Sequence, residues 1–362
     1  MGLNPSFWNK RKVLVTGHTG FKGSWLSLWL TQMGAQVTGF SLEPPSKPSL
    51  FVESGLQSDI KHYHGDIRNP EQILNCILQK QPEIVFHLAA QSLVRQSYQE
   101  PAVTFETNIM GTVHVLDACR KSESVRSIVN ITSDKCYENN ETGQGYRESD
   151  PMGGHDPYSC SKGCAELVTS SFRRSFMQAD RQDKAIALAS ARAGNVIGGG
   201  DWAEDRLIPD VMRALASGKQ LIIRNPQSVR PWQHVLDPLH GYLVLAERLS
   251  EGQALYQDAW NFGPATADAV TVAQLLENLM SGWDVKTPYC ESTDPNPPHE
   301  ANMLRLDCTR AHQELDWKPL LDLNTAIQWT SKWYRAWLDK KDLRAKTLEQ
   351  IEHYQTMAQE SP

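Results

Sequence analysis

Short apolar runs alternate with longer amphipathic stretches through the first half of the chain. Uninterrupted apolar runs at residues 13–15 and 84–86 are typical of strands that a sheet buries on both faces. Between such runs, apolar residues recur at helical spacing, as in residues 23–33. Strands and helices that alternate in this way predict a parallel sheet with helical crossovers. The predicted strands are 12–16, 36–40, 61–64, 83–87, 127–131 and 185–191, and the predicted helices are 23–33, 70–80, 101–121 and 157–178.

The alternation breaks up after residue 195, where shorter mixed elements and a proline cluster at residues 295–298 follow. This part of the chain predicts a smaller lobe beside the sheet. Residues 324–357 form a polar helical stretch with Trp329, Trp333 and Trp337 at four-residue spacing. That stripe is more typical of helix packing than of a functional face.

Composition is that of an ordinary globular protein. The 362 residues are 40% hydrophobic and 22% charged, and no run approaches the roughly 18 apolar residues of a membrane span. The net charge of −6 argues against a nucleic-acid binder, which usually has a basic excess. The seven cysteines are scattered without a Cys-x-x-Cys pair, which favours reduced thiols over disulfides or a metal site. We therefore expect a cytoplasmic protein without a membrane partner, a nucleic-acid partner or a bound metal.

Three glycines at three-residue spacing, Gly17, Gly20 and Gly23, follow the first predicted strand and open the first predicted helix. In such a loop the glycines allow a tight turn, a close approach of the backbone to a diphosphate, and close packing of helix on strand. The free N–H groups and the dipole of the helix N-terminus attract anions. This context favours a dinucleotide-binding loop over a plain turn.

The identity of the dinucleotide depends on the residues near the end of the second strand. An acidic residue that binds the adenosine ribose is usual there, but Ser41 occupies the expected position and Glu43 lies just past it. Lys22, inside the loop, could instead meet a 2′-phosphate. We predict NAD rather than NADP. Asp66, after the third strand, either bonds the adenine amine or caps the helix that follows.

Tyr158 and Lys162 stand four residues apart at the start of a predicted helix, which places them on one face. A lysine ammonium near a phenol favours the phenolate. Such a phenol can accept the proton of an alcohol while a hydride leaves the carbon. A surface pair with the same spacing is common, but the glycine loop in the same chain favours the catalytic interpretation.

These segments together resemble the extended short-chain dehydrogenase/reductase family. The resemblance rests on Thr-Gly-x-x-Gly-x-x-Gly at residues 16–23, His-Leu-Ala-Ala-Gln at 87–91 and Tyr-x-x-x-Lys at 158–162, and it covers nearly the whole chain. It implies an α/β fold with a Rossmann-type doubly wound parallel sheet in residues 1–194, to which residues 230–263 return. A smaller C-terminal α/β lobe, residues 195–229 and 264–345, would bind the substrate. The resemblance also implies that NAD is retained and recycled, and that its site includes Gly17, His18, Gly20, Phe21, Lys22, Gly23, Ser41, Asp66, Ile67, Leu88, Ala89, Ala90, Asn108, Tyr158 and Lys162.

The segment after the fifth strand points to a reaction. Nucleotide-sugar 4,6-dehydratases of this family have Thr-Asp-Glu here, and the chain has Ser133, Asp134 and Lys135. Lysine in place of glutamate resembles the dehydratases that act on CDP-glucose. The resemblance implies that Ser133 assists Tyr158, that Asp134 protonates the departing C6 hydroxyl, and that Lys135 removes the C5 proton. A structural ion pair between Asp134 and Lys135 is the alternative.

The resemblance also implies a nucleotide-sugar site and an assembly. Residues expected to contact the substrate are Gln91, Asn195, Arg206, Leu207, Arg230 and Arg305. Apart from the resemblance, His299 and Glu300, beside two prolines, are candidates for a loop over the nucleotide. Arg230 would grip the diphosphate, for which a guanidinium is well shaped. A homodimer through the helices near 101–121 and 157–178, or a homotetramer, is expected. Two other functions stay open: a 4-epimerase or reductase of the same fold, and a dinucleotide-binding sensor or scaffold without catalysis.

Overall fold

A central seven-stranded sheet organises the computed structural model, which describes residues 3–141, 143–177, 185–265, 269–281, 283, 289–291 and 304–360. All neighbouring strands of this sheet run parallel. The described residues form these strands, inside and outside the central sheet: β1 Lys12–Thr16, β2 Gln36–Ser41, β3 Lys61–His64, β4 Ile84–His87, β5 Ser127–Ile131, β6 Ala187–Arg192, β7 Val196–Ile197, β8 Leu221–Ile223, β9 Val229–Pro231, β10 Gln233–His234, β11 Ala259–Asn261, β12 Ala269–Thr271 and β13 Tyr289–Glu291. The order in the central sheet is β11-β6-β5-β4-β1-β2-β3.

Helices connect these strands and cover them. They are α1 Pro5–Trp8, α2 Phe21–Gln32, α3 Leu50–Glu53, α4 Pro70–Lys80, α5 Val94–Gln99, α6 Pro101–Phe105, α7 Gly111–Arg120, α8 Pro157–Ser175, α9 Leu207–Ser217, α10 Leu236–Ser250, α11 Val272–Met280, α12 Thr309–Glu314, α13 Leu323–Leu338 and α14 Leu343–Glu360. None of the helices in the described part of the chain combines the length and apolarity that a membrane crossing requires.

Helices cover both faces of the central sheet, and successive side chains of its strands point into the cores on opposite sides. Val13 and Val15 of β1 join the core that contains α2, α10 and α13. Leu14, between them, joins a second core formed with α4 and α7. Helices on both faces of a parallel sheet are the doubly wound arrangement, so the predicted fold class is confirmed.

Two predicted helical stretches have a different internal structure from the one expected. The predicted helix at 101–121 is continuous but contains a π-helical turn, Glu106–Met110, between α6 and α7. The polar stretch at 324–357 is two helices rather than one. It breaks after Leu338, where Asp339 caps α13 and Lys340 takes a positive φ of 54°. Trp333 is fully buried between these helices and donates its indole N–H to Thr347, so its role is packing.

The later chain forms short paired strands beside the sheet. β7 pairs with β10, β8 with β13 and β9 with β12. One strand from this half of the sequence returns to the central sheet, where β11 pairs with β6. The carboxyl ends of the central strands therefore face loops drawn from both halves of the chain.

Candidate functional site

The glycine loop joins the carboxyl end of β1 to α2, at the sheet edge where α/β proteins bind ligands. Gly17 has a φ of +75°, and a Cβ there would lie 2.7 Å from the backbone nitrogen of Ala89. A Cβ on Gly23 would lie 2.2 Å from the Gly17 carbonyl oxygen. Gly20 is the N-cap of α2 and supplies no side-chain bond to its first turn. The loop thus brings bare backbone and free helical N–H groups together, which fits the diphosphate of a dinucleotide.

We predict that Gly17→Ala destabilises the fold more than an alanine at a glycine with the same backbone but open surroundings. Gly252 has a φ of +77°, and a Cβ on it would meet no atom within 4 Å, so Gly252→Ala measures the backbone cost alone, about 1–2 kcal/mol. Gly17→Ala adds a collision with Ala89, worth a further ~1–3 kcal/mol. Urea unfolding of both variants measures the difference. Equal midpoints would show that the loop gives way at no cost.

The side chains of His18 and Ser41 are buried and contact other side chains of the protein. His18 is fully buried, its Nε2 lies 2.7 Å from Nδ1 of His62, and burial, with His62 adding, lowers its pKa to about 3. The Ser41 hydroxyl lies 2.7 Å from that of Thr19. Glu43 is exposed and lies 3.8 Å from His64. Neither His18 nor Ser41 has a side chain directed into open space at the loop.

Lys22 lies at the catalytic end of the loop rather than at the adenosine end. Its ammonium is 3.5 Å from the hydroxyl of Tyr242 on α10. Burial lowers the pKa of Lys22 to about 7, with the charge of Arg206 adding to the shift and that of Asp134 opposing it. The alternative in which Lys22 meets a 2′-phosphate is therefore wrong, because the first turn of α2 directs this side chain toward α10.

Asp66 and Ile67 follow β3. The carboxylate of Asp66 accepts two hydrogen bonds from the Arg68 side chain, at 2.9 and 2.6 Å. Asn69, not Asp66, caps α4, so the capping alternative for Asp66 is wrong. Ile67 is buried against Gly111 at the start of α7.

Asn108, which lies in the π-helical turn, holds the loop after β4 by hydrogen bonds. Its amide nitrogen donates to the Gln91 carbonyl at 2.9 Å and to the Ser161 hydroxyl at 2.8 Å, and its oxygen accepts from the Gln91 N–H. The Gln91 side chain donates to Leu93 and Thr104 rather than facing outward. Asn108 and Gln91 therefore shape the loop that carries Leu88, Ala89 and Ala90. A π-helical turn at such a position is common at functional sites.

Ser133, Asp134 and Lys135 lie at the carboxyl end of β5, where residues 134–136 form a short 3₁₀ turn capped by Ser133. The Ser133 hydroxyl donates to Asp134 at 3.0 Å. Asp134 is 4% exposed, and a Cβ on Gly194 would lie 1.8 Å from its carboxylate, so only glycine leaves room for it. Within the described residues, no ion pair joins Asp134 to Lys135.

Tyr158 and Lys162 extend from α8 toward the same place. The backbone N–H of Tyr158 donates to Ser97 at 3.1 Å, which anchors the start of the helix. Burial raises the pKa of Tyr158 to about 12, and a hydrogen bond with Ser133 opposes the shift. Burial lowers the pKa of Lys162 to about 8, and Glu166 opposes that shift. The Lys162 ammonium lies 6.0 Å from the centre of the Tyr158 ring.

Of the expected substrate residues, Arg206 lies at this centre. Arg206 caps α9, donates to Asp201 at 3.0 Å, and its charge acts on both Tyr158 and Lys22. Leu207 begins α9 and packs against the main core. The other three lie on the later chain: Asn195 has a φ of 50° between β6 and β7, Arg230 lies on β9, and Arg305 accepts a backbone hydrogen bond from Tyr146. His299 and Glu300 lie outside the described residues.

Three further residues reach this site without having been predicted. Tyr242 is fully buried beside Lys22, and Glu166 and Arg192 form a buried ion pair at 2.8 Å below Lys162. Glu166 could have been found from sequence, since it stands four residues after Lys162 on the same helical face. Tyr242 and Arg192 follow only from the folded arrangement.

Known proteins resemble this chain in sequence and in structure. A family model described as GDP-mannose 4,6 dehydratase matches residues 14–330. The chain is 50% identical over 353 residues to the CDP-glucose 4,6-dehydratase of Salmonella typhimurium, covering 97% of this chain and 98% of that protein. It is 26% identical over 351 residues to the dTDP-glucose 4,6-dehydratase of the same organism, covering 90% and 93%. A crystal structure of dTDP-glucose 4,6-dehydratase from Streptomyces venezuelae matches with a TM-score of 0.78 at 22% identity, covering 92% of this chain and 99% of that chain.

Proposed function

The chain belongs to the family described as GDP-mannose 4,6 dehydratase, and on that premise we propose that it is a CDP-glucose 4,6-dehydratase. It converts CDP-D-glucose to CDP-4-dehydro-6-deoxy-D-glucose and water, a step of deoxysugar synthesis for surface polysaccharide such as O-antigen. The observation that carries the proposal is the meeting of Ser133 and Asp134 with Tyr158 at the end of β5. The relative with 50% identity supports the choice of CDP-glucose.

The two alternatives fit the site less well. A 4-epimerase or a reductase needs the Tyr158 and Lys162 pair but has no use for a buried carboxylic acid beside it. The room that Gly194 leaves for Asp134 favours an elimination. A sensor or scaffold would not need the hydrogen bond between Ser133 and Tyr158, which holds a phenol in place for proton transfer.

We propose NAD as the cofactor of this site. The bare backbone around Gly17 and the uncapped start of α2 fit its diphosphate, and the Streptomyces venezuelae dehydratase was solved with NAD bound. The glycine loop and the first turn of α2 would hold NAD, which would supply a reversible hydride store for the sugar, so that the reaction would involve no net redox change. The backbone of Leu88 and Ala89 lies against Gly17 of the glycine loop, and we propose that Leu88, Ala89 and Ala90 line the cofactor.

The first task of the chain is to accept the proton of the C4 hydroxyl. Tyr158 is the base, and the buried Lys162 ammonium beside it stabilises the phenolate. A hydrogen bond between Ser133 and this oxygen lowers the pKa of Tyr158 against the effect of its burial. The charge of Arg206 also favours the phenolate. The low exposure of Tyr158, 8%, excludes water that would compete for the proton.

The second task is to remove water across C5 and C6. A ketone at C4 makes the C5 proton acidic, and Lys135 takes that proton. Asp134 gives a proton to the C6 hydroxyl, which leaves as water. These two residues are neighbours on the short turn after β5, and we propose that both side chains reach the bound sugar. Arg206, Arg230 and Arg305 are proposed to hold the diphosphate and the nucleotide.

A panel of four nucleoside diphosphate glucoses, with cytidine, thymidine, guanosine and uridine as the base, tests the function. The expected result is loss of one water for CDP-glucose, seen as a mass change and as the base-induced absorbance of a 4-keto sugar. Product of unchanged mass but epimerised at C4 would favour the 4-epimerase. No turnover on any of the four, with the dinucleotide bound, would favour the sensor.

We also propose a homodimer through α6, α7 and α8, and we predict that Leu167→Glu disrupts it. Leu167 on α8 is 60% exposed and Met110, just before α7, is 44% exposed. A carboxylate at position 167 would lie unpaired in an apolar contact. Sedimentation velocity is expected to give a dimer, or a tetramer of two dimers, for the unchanged chain and a smaller species for the variant. Leu255→Glu, at a 51% exposed leucine in the 3₁₀ turn after α10, is the control and should change nothing. A monomeric unchanged chain would contradict the proposal.

A further inference from the structure

Glu166 stands on the catalytic face of α8, one turn below Lys162 and two turns below Tyr158. It is 4% exposed and is not one of the residues proposed to contact the sugar or the dinucleotide. A charged carboxylate in such a place is expensive to bury unless it is paired and fully hydrogen-bonded. Its partners therefore indicate what the position requires.

Three side chains donate to this carboxylate. Thr132 donates its hydroxyl to Oε1. Ser190 donates to Oε2 at 2.7 Å, and Arg192 donates to the same oxygen at 2.8 Å. Thr132 comes from the end of β5, whereas the other two come from β6. Glu166 thus joins the catalytic helix to two neighbouring strands of the central sheet.

The Thr132 bond is the one that matters for the reaction. Thr132 immediately precedes Ser133 and Asp134, and its own backbone N–H donates to Ala191 of β6 at 2.9 Å. Its hydroxyl bond to Glu166 fixes the distance between this segment and α8. Because Tyr158 is on α8 and its partner Ser133 is on the segment, that distance sets how the two meet.

We propose that Glu166 is a positioning residue for the dehydration, which ties the Ser133–Asp134 segment to the catalytic helix through Thr132 and holds an anionic charge under Lys162. The inference rests on the proposed function for its reaction, and on hydrogen bonds of this chain for its geometry. Arg192 extends the same structure, since it donates to the Tyr137 hydroxyl at 2.6 Å, which in turn donates to Asn261 of β11.

Electrostatics give the charge of Glu166 a second effect. Burial favours the neutral acid, but Arg192 and the hydrogen-bond donors outweigh burial and lower the pKa of Glu166. The resulting anion favours the ammonium form of Lys162 against its own burial. Charged or titratable groups that face Lys162 or Glu166 from the packed elements are Lys22, His87, Cys136, Arg173 and Arg192.

Two single-hydroxyl variants separate positioning from a merely structural role. Thr132→Val and Ser190→Ala each remove one donor from Glu166, but only Thr132 carries the catalytic segment. Thr132→Val is expected to lower kcat for water loss by roughly 10- to 100-fold with KM nearly unchanged, because small displacements of reacting groups are costly. Ser190→Ala is expected to change kcat by less than ~3-fold. Equal effects of the two variants on kcat, or an effect of both on Tm alone, would overturn the proposal.

A third variant, Glu166→Gln, tests the charge without depending on any substrate. Trace acetylation of the holoenzyme across a pH series, with the Lys162 peptide quantified by mass spectrometry, gives the midpoint at which that amine becomes reactive. Loss of the anion is expected to lower this midpoint by about 1 pH unit, since an opposite charge one helical turn away favours the ammonium. An unchanged midpoint in the folded variant would overturn the electrostatic half of the proposal, and if this variant does not fold, the Thr132→Val and Ser190→Ala comparison decides.

The two proposals can fail separately. If CDP-glucose is not dehydrated, the proposed function is wrong. The pH midpoint of Lys162 acetylation still tests whether the charge of Glu166 favours the ammonium form of Lys162. If CDP-glucose is dehydrated and Thr132→Val turns over normally, the function stands and the positioning role is wrong.

Discussion

Tyr158→Phe is expected to lower kcat for water loss from CDP-glucose by roughly 10²- to 10⁴-fold, the usual worth of a positioned acid–base group. The phenyl ring still fills its buried place on α8, and its backbone bond to Ser97 is unaffected. What disappears is the one oxygen that Ser133 contacts and that the charge of Arg206 acts on. Formation of the 4-keto product, followed by its absorbance in base, measures the loss.

Tyr354→Phe is the matched control for that variant. Tyr354 is fully buried on α14 and donates its hydroxyl to Asp237 at 2.9 Å, in the packing between α10 and α14. Its loss should cost stability, about 1 kcal/mol for a buried hydrogen bond, and leave kcat unchanged. If Tyr158→Phe forms product at the rate of the control, Tyr158 is not the base and the proposed mechanism is wrong.

Asp134→Asn is expected to separate the two halves of the reaction. Asparagine keeps the shape of the side chain, still fits against Gly194, and can still accept the hydrogen bond from Ser133, but it cannot give a proton to the departing hydroxyl. In deuterated water, the variant should exchange the C5 proton of CDP-glucose while water loss falls by roughly 10²- to 10⁴-fold. Deuterium at C5 and the yield of 6-deoxy product are measured by NMR in the same sample.

Lys135→Ala supplies the complementary result. If Lys135 is the base, this variant loses both C5 exchange and water loss, whereas Asp134→Asn loses only the second. A Lys135→Ala protein that still exchanges C5 and turns over would remove Lys135 from the mechanism. An Asp134→Asn protein that still loses water at the full rate would show that Asp134 is not the general acid.

The sequence predictions that are confirmed rest on residue patterns within single strands and helices. Residues 12–16 and 127–131 match β1 and β5, because strands inside a doubly covered sheet are largely apolar. Residues 61–64 match β3, although β3 lies at the edge of the sheet and its side chains are mostly exposed. The helix after the glycine loop begins at Phe21 rather than at residue 23, since Gly20 is its N-cap. Spacing within one helix also placed Tyr158 and Lys162 on one face.

Contacts between distant parts of the chain were not predictable in this way. Lys22 was assigned from its place in the loop, yet its neighbour Tyr242 comes 220 residues later. The pairing of Glu166 with Arg192 depends on β6 lying next to β5, which no spacing rule within one element specifies. Charge alone could not tell whether Asp66 would cap α4, because Asn69 stood closer to the start of that helix.

The return of β11 to the central sheet has a consequence for how such a protein can be divided. A fragment that ends at residue 194 would keep the glycine loop, Tyr158 and Lys162, and by motif alone would look like a complete half. It would nevertheless leave β6 without its outer neighbour and Tyr137 without Asn261 as its acceptor. The glycine loop and the later chain therefore share one sheet, and a single cut at residue 194 would separate β6 from the strand that covers its edge.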